Sequence, residues 1–91
     1  MKNEIYVLIM KDKRNKNEDE WTDCAVFVDL ETAQQRLIEL KNDFMQEIKN
    51  ELDNYTIEDN SDEILPYFSA YENGFYDENH FDLAIYQREV Q

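Results

Sequence analysis

The stretch from Asp29 to Tyr55 constrains the fold more than any other. Ala33, Leu37, Leu40, Phe44, Ile48, Leu52 and Tyr55 recur at steps of three and four, the repeat of one stripe on a 3.6-residue helix. The interval holds no Gly and no Pro, and it is rich in Leu, Glu, Gln and Lys, all good helix formers. Asp29 suits the N-cap. Its carboxylate can accept from the N–H of Glu31 or Thr32, and its charge suits the positive end of the helix dipole. Turn formers and β-branched residues from Asp53 to Ile57 place the end near Asn54. About 25 residues at about 1.5 Å each make a rod of roughly 37 Å. A stripe of that length needs an apolar surface to lie on.

Four segments can supply that surface as strands. From Glu4 to Lys11, Ile5, Val7 and Ile9 alternate with Tyr6, Leu8 and Met10, so both faces are apolar, as in an inner strand. From Trp21 to Val28, Cys24, Val26 and Val28 share one parity, and Ala25 and Phe27 the other. The polar interval between these two closes an antiparallel hairpin. The third strand, Pro66 to Glu72, sets Tyr67, Ser69 and Tyr71 against Phe68 and Ala70. The fourth, Phe81 to Val90, sets Phe81, Leu83 and Ile85 against Asp82, Ala84, Tyr86 and Arg88. Asn73-Gly74 marks a turn between them, and Ile57 to Leu65 reads as an acidic loop. The expected fold is α+β: a single domain over residues 1–91 in the order β-β-α-β-β. Its four-stranded antiparallel sheet carries the helix on one face. Tyr6, Leu8, Met10, Phe27, Ala84 and Tyr86 are expected on the other face, which is too apolar to be left wet.

Nine Lys and Arg stand against 22 Asp and Glu, a formal net charge of −13. The imbalance is uneven. Residues 1–16 hold five basic and two acidic groups, a net +3, while residues 17–91 hold four basic and 20 acidic groups, a net −16. Such a field repels nucleic acid and anionic membranes and attracts cationic surfaces. Direct DNA or RNA binding is therefore not expected, and the Lys11–Lys16 cluster reads as a solvated hairpin loop. Cys24 stands alone, so no intrachain disulfide can form, which suits a reducing compartment. The apolar run Ile5 to Met10 is too short for a signal core or a membrane span, so a soluble cytoplasmic protein is expected.

Few chemistries fit these residues. An EF-hand loop needs alternating acids, a Gly at its sixth position and a Glu at its twelfth. The segment Glu58 to Glu63 lacks the Gly, and Glu72-Asn73-Gly74 lacks the acids before it. One His and one Cys far apart are too few for zinc, and His80 reads as a surface histidine. No nucleophile elbow, phosphate-binding glycine loop or Cys-His motif is present. Neither a metal nor a cofactor nor an enzymatic activity is expected. The aromatic residues of the C-terminal half alternate with Glu72, Asp77, Glu78 and Asp82, which suits a core or a protein interface and not a platform for bases.

The candidate binding residues are carboxylates. Glu39, Asp43 and Glu47 form an i, i+4, i+8 column on the helix. Steps of about 6 Å along the axis would let them stand in for roughly every second phosphate of a DNA strand. Glu58, Asp59, Asp62 and Glu63, with Asp77 and Glu78, would extend that mimicry. The blander reading of the column is a solvated face. In size and charge alone the chain resembles small phage and mobile-element proteins that block nucleic-acid enzymes, anti-CRISPR proteins among them. That resemblance implies a non-enzymatic inhibitor that mimics DNA charge and docks on a basic protein surface. The alternative is a homodimeric interaction module built on the apolar sheet face.

Overall fold

The computed structural model of the chain describes residues 3–13, 21–74 and 79–90. Its elements in chain order are β1 (Asn3–Lys13), β2 (Trp21–Phe27), α1 (Leu30–Glu47), a short 3-10 turn (Leu52–Asn54), β3 (Tyr55–Asn60), β4 (Tyr67–Glu72) and β5 (His80–Val90). The strands form one antiparallel sheet in the order β2-β1-β5-β4-β3, with α1 across one face. The class is α+β, as expected, but the sheet has five strands and not four.

The additional strand comes from residues that the apolar repeat assigns to the helix end and the acidic loop. Helix α1 stops at Glu47, well short of Asn54. The Ile48 N–H still bonds the Phe44 carbonyl at 3.1 Å, but Glu51 then bonds Ile48 at 2.7 Å and Asn54 bonds Glu51 at 2.9 Å. These tight turns reverse the chain. Tyr55 comes back beside Phe44, with ring centroids 6.1 Å apart, whereas eleven residues along a continuous helix would separate them by about 16 Å. Strand β3 then pairs with β4, placing Thr56 opposite Tyr71 and Ile57 opposite Ala70. The β-branched Thr56 and Ile57 suit a strand, and the pairing covers an edge of β4 that four strands would leave bare. Tertiary pairing outweighs helix periodicity here.

Pairing also corrects which face of β1 is covered. Leu8 sits between Ala25 and Ile85, and Ile9 between Cys24 and Ala84. Strand β5 buries Phe81, Leu83 and Ile85 under the helix, so Leu8 is buried with them and Tyr6, Met10 and Phe27 pack alongside. None of these four lies on the open face, which is made instead by Ile5, Val7, Ile9, Val26, Tyr67, Ala84 and Tyr86. A strand apolar on both parities does not announce its buried side; its register to β5 sets it.

The core centres on Phe44, which stacks on Phe81 at 4.4 Å with planes 2° apart and meets Phe68 edge-on at 5.9 Å. Ala33, Leu37 and Ile48 complete the helix stripe, while Leu52, in the 3-10 turn, is 40% exposed. Asp29 is the N-cap, but its carboxylate accepts from the Thr32 hydroxyl at 2.8 Å and from no backbone N–H. His80 is buried, at 8% exposure, contrary to its reading as a surface residue. No helix among the described residues is long and apolar enough to cross a membrane.

Candidate functional site

Glu39, Asp43 and Glu47 are all exposed on α1. At about 100° per residue they drift along the flank that also carries Arg36 and Leu40. Arg36 reaches Glu39 at 3.1 Å, an exposed i, i+3 pair. Such pairs contribute only a few tenths of a kcal/mol and are screened by salt. Arg36 and Leu40 border a crevice with Trp21, Asp23 and Ala25, so this flank overhangs the β2 side of the sheet.

The second acidic group lies on the opposite flank. Lys41 reaches across to Asp59 on β3 at 3.1 Å and to the Ser61 hydroxyl at 2.9 Å, and Gln34 donates to the Ile64 carbonyl at 2.9 Å. Asp59 also accepts from the Ser61 hydroxyl at 2.6 Å and the Ser61 N–H at 3.1 Å. The Ser61 hydroxyl above all, then its N–H and Lys41, hold the Asp59 carboxyl below its ordinary value against an opposing effect of partial burial. Asp59 therefore ties β3 to the helix. Glu58 points to the open face through its place beside Ser69, and Asp62 and Glu63 are exposed in the turn after β3. Asp77 and Glu78 lie outside the described residues. Among the described residues, the candidate carboxylates thus lie on two flanks of the helix and, at Glu58, on the open face, not in one continuous patch.

The structure gathers a third set. Where α1 ends, Glu47, Ile48, Glu51, Asn54, Tyr55, Glu72 and Asn79 line a cavity of about 330 Å³. Its floor is tied by backbone bonds from Asn73 to Asn54 (2.8 Å) and from Glu72 to Asn79 (3.0 Å). The Asn79 side-chain N–H₂ donates to a Glu72 carboxylate oxygen and, at 3.3 Å, to the Tyr55 hydroxyl. Asn79 is 8% exposed, and its Oδ1 is buried without a hydrogen-bond partner. Nothing in the apolar repeat announces this site. It depends on the helix ending at Glu47 and on Tyr55 standing opposite Glu72. The Asn73-Gly74 turn, with Gly74 at φ +84°, is its one local signal.

Among the described residues, no group of three or more His, Cys, Asp and Glu is placed to hold a metal ion. On the open face, the Ser69 hydroxyl donates to Asp82 at 2.6 Å, and the Arg88 guanidinium lies 5.4 Å from the centre of the Tyr86 ring. Cys24 is a free, exposed thiol on the same face. Comparison with family models, curated proteins and solved structures finds no match to the chain.

Proposed function

We propose that the chain is a small acidic binding protein that docks on a basic protein surface without catalysing a reaction. The single observation that carries this reading is the exposed column Glu39–Asp43–Glu47, borne on a rigid helix in a chain of net charge −13. Three carboxylates on successive turns span about 12 Å, a spacing suited to Lys and Arg side chains that otherwise follow a phosphate backbone. In this reading the partner is a nucleic-acid-binding enzyme and the protein is an inhibitor of the kind found in phage and mobile elements. The test is competition with duplex DNA for a basic nucleic-acid-binding enzyme between about 0.05 and about 0.5 M salt, a range over which exposed charges become strongly screened. Displacement that weakens with salt, and weakens further in Asp43→Lys, supports the reading. Binding indifferent to salt and to Asp43→Lys removes it.

One observation favours a second reading. The face of the sheet away from the helix is apolar and wet: Val26 is 60% exposed and Tyr86 43%. A trough of about 440 Å³ runs between Tyr67 and Tyr86 over Ala84. Five strands about 4.8 Å apart make a face of roughly 24 by 23 Å, or about 550 Å² per copy. Two copies would bury about 1,100 Å², which clears the roughly 1,000 Å² of a biological interface and falls in the range of weak, transient ones. Light scattering of the wild type and of Val7→Lys decides: a concentration-dependent dimer abolished by Val7→Lys supports pairing through this face, and a strict monomer rejects it.

A further inference from the structure

We propose that the outer edge of β2 takes up an extended, basic segment of the partner as an added strand, with one apolar side chain of that segment in the crevice beside α1. This rests on the proposed docking of a basic surface and names the part of that surface that makes the contact. Strand β2 ends the sheet on one side. The direction of its backbone groups follows from the ladder. Ile85 donates to the Pro66 carbonyl at 3.2 Å and Glu72 to the Asn79 carbonyl at 3.0 Å. Odd-numbered residues of β5 therefore turn their N–H and C=O groups to β4, and even-numbered ones to β1. Carried through the register, the even-numbered residues of β1 face β2, and Asp23 and Ala25 face β1 in return. Thr22, Cys24 and Val26 are left facing outward. A hydrogen bond of β2 agrees: the Cys24 N–H donates to the Asp23 carboxylate at 2.9 Å and not to β1. The carboxylate holds the place that the carbonyl of a neighbouring strand would take.

An edge of this kind is a template for strand addition, in which main-chain bonds give affinity and alternate side chains give specificity. The other edge is not equivalent. Strand β3 carries Glu58 and Asp59, and Lys41 and Ser61 gather on Asp59, whereas Asp23 is the one charged residue of β2. Charges on an edge keep strands away, so β2 is the open one. Beside it lies a crevice of about 280 Å³, floored by Leu8, Met10, Ala25 and Leu40 and walled by Trp21. Every second side chain of an added strand points to this side of the sheet, and the crevice has room for one branched apolar side chain. Its neighbours on the same side emerge beside Asp23 and the helix flank that bears Glu39 and Asp43, which suits Lys or Arg.

That charge also decides against a second copy as the occupant. Two β2 strands paired antiparallel, Cys24 against Cys24, would set both helices on the same side of one continuous sheet. Their Glu39–Asp43 flanks would then face each other, in chains that each carry a net charge of −13.

The test uses the whole chain and the peptide acetyl-Thr-Lys-Thr-Leu-Thr-Lys-Thr-amide, whose Leu and Lys side chains share one face of a strand. Backbone amides are followed by NMR as the peptide is added. The expected result is a saturable shift and slowed hydrogen exchange at Thr22, Cys24 and Val26. N-methylation of the Thr amides of the peptide keeps its charge but removes the donors aimed at β2, and should weaken binding about tenfold. Glu in place of both Lys residues should weaken it at least as much. Val26→Pro removes one outward donor and no bond to β1, and should weaken binding of the unmodified peptide; if that variant does not fold, the N-methylated peptide decides on the intact chain. Shifts that do not saturate, equal affinity for the N-methylated or the Glu peptide, or a response at Tyr55, Ile57 and Asp59 in place of β2 would each overturn the added strand. Protection of Thr22, Cys24 and Val26 that rises with protein concentration in the absence of peptide would overturn it in favour of a second copy. Docking on a basic enzyme is tested separately, at Asp43 in competition with duplex DNA, and stands or fails independently of the peptide.

Discussion

The reversal after Glu47 can be tested by two truncations that the apolar repeat treats alike. Phe44 and Leu52 fall on one stripe if the helix runs through both. In the structure, Phe44 is buried to 2% exposure among three aromatic rings, while Leu52 sits in the 3-10 turn at 40% exposure. Phe44→Ala removes a stacked ring and leaves a cavity, a loss of about 3–5 kcal/mol. A domain of this size has roughly 5–14 kcal/mol in all, so the variant is marginal. Leu52→Ala removes side-chain area that is already partly wet and should cost about 1–2 kcal/mol. With a urea slope near 2 kcal/mol/M, Phe44→Ala should lower the midpoint by roughly 1.5–2.5 M, or unfold the chain. Leu52→Ala should lower it by no more than about 1 M at a slope near 2 kcal/mol/M. Backbone carbon shifts of the wild type give the independent check: helical values to Glu47 and extended values from Tyr55 to Asn60. Helical shifts continuing through Asn54, with Leu52→Ala as costly as Phe44→Ala, would refute the reversal and with it the cavity.

Three other outcomes follow from single contacts. Asp59 has its carboxyl lowered in the folded state, so its bonds to Ser61 and Lys41 stabilise the fold above the unfolded value and are lost as pH falls through the folded one. Asp59→Asn should therefore be less stable than wild type at neutral pH, and urea titrations should converge in acid; a gap that persists there refutes it. Ser69→Ala removes the charge-assisted bond to Asp82 and should cost roughly 1–2 kcal/mol by thermal or urea denaturation. Gly74 adopts φ +84° with nothing within 4 Å of an added Cβ. Gly74→Ala should thus cost only the backbone penalty, about 1–2 kcal/mol, and a larger loss would show a steric clash that the structure does not contain.

The parts of the fold legible in the sequence are those where local pattern and tertiary pairing agree. Phe81, Leu83 and Ile85 alternate with polar or small neighbours, and their burial follows directly. Ala33, Leu37, Phe44 and Ile48 keep the helix period and are buried as that period requires. The pattern failed at Tyr55 and Ile57. Tyr55 continues the helix repeat, yet both residues pack against the core from a strand, because two-residue alternation can serve a position that three- and four-residue steps also reach. It failed again at Tyr6 and Leu8, where both parities are apolar and only the register to β5 separates them. Of the candidate carboxylates, the column could be placed by counting along a helix. Asp59 could not, since its role depends on Lys41, eighteen positions away in sequence.

The distribution of charge makes the two readings of function compatible, with opposite responses to salt. On the described strands, the open face carries Lys11, Lys13 and Arg88 against Glu58 and Asp82, by the register of the sheet. Among the described strand residues this face has no surplus of acid, while the acidic column lies on the helix, on the far side. Two copies meeting through their open faces would leave both helices outward for a basic partner. Docking of such a partner would be an attraction between exposed charges, so added salt would weaken it. Pairing of two like-charged copies through the Ile, Val and Tyr side chains of this face would be opposed by long-range repulsion, so added salt would strengthen it. Measured together from low to high ionic strength, self-association should rise while partner affinity falls. If both fall together, the open face is held by ion pairs and not by its Ile, Val and Tyr side chains, and the apolar account of that face fails.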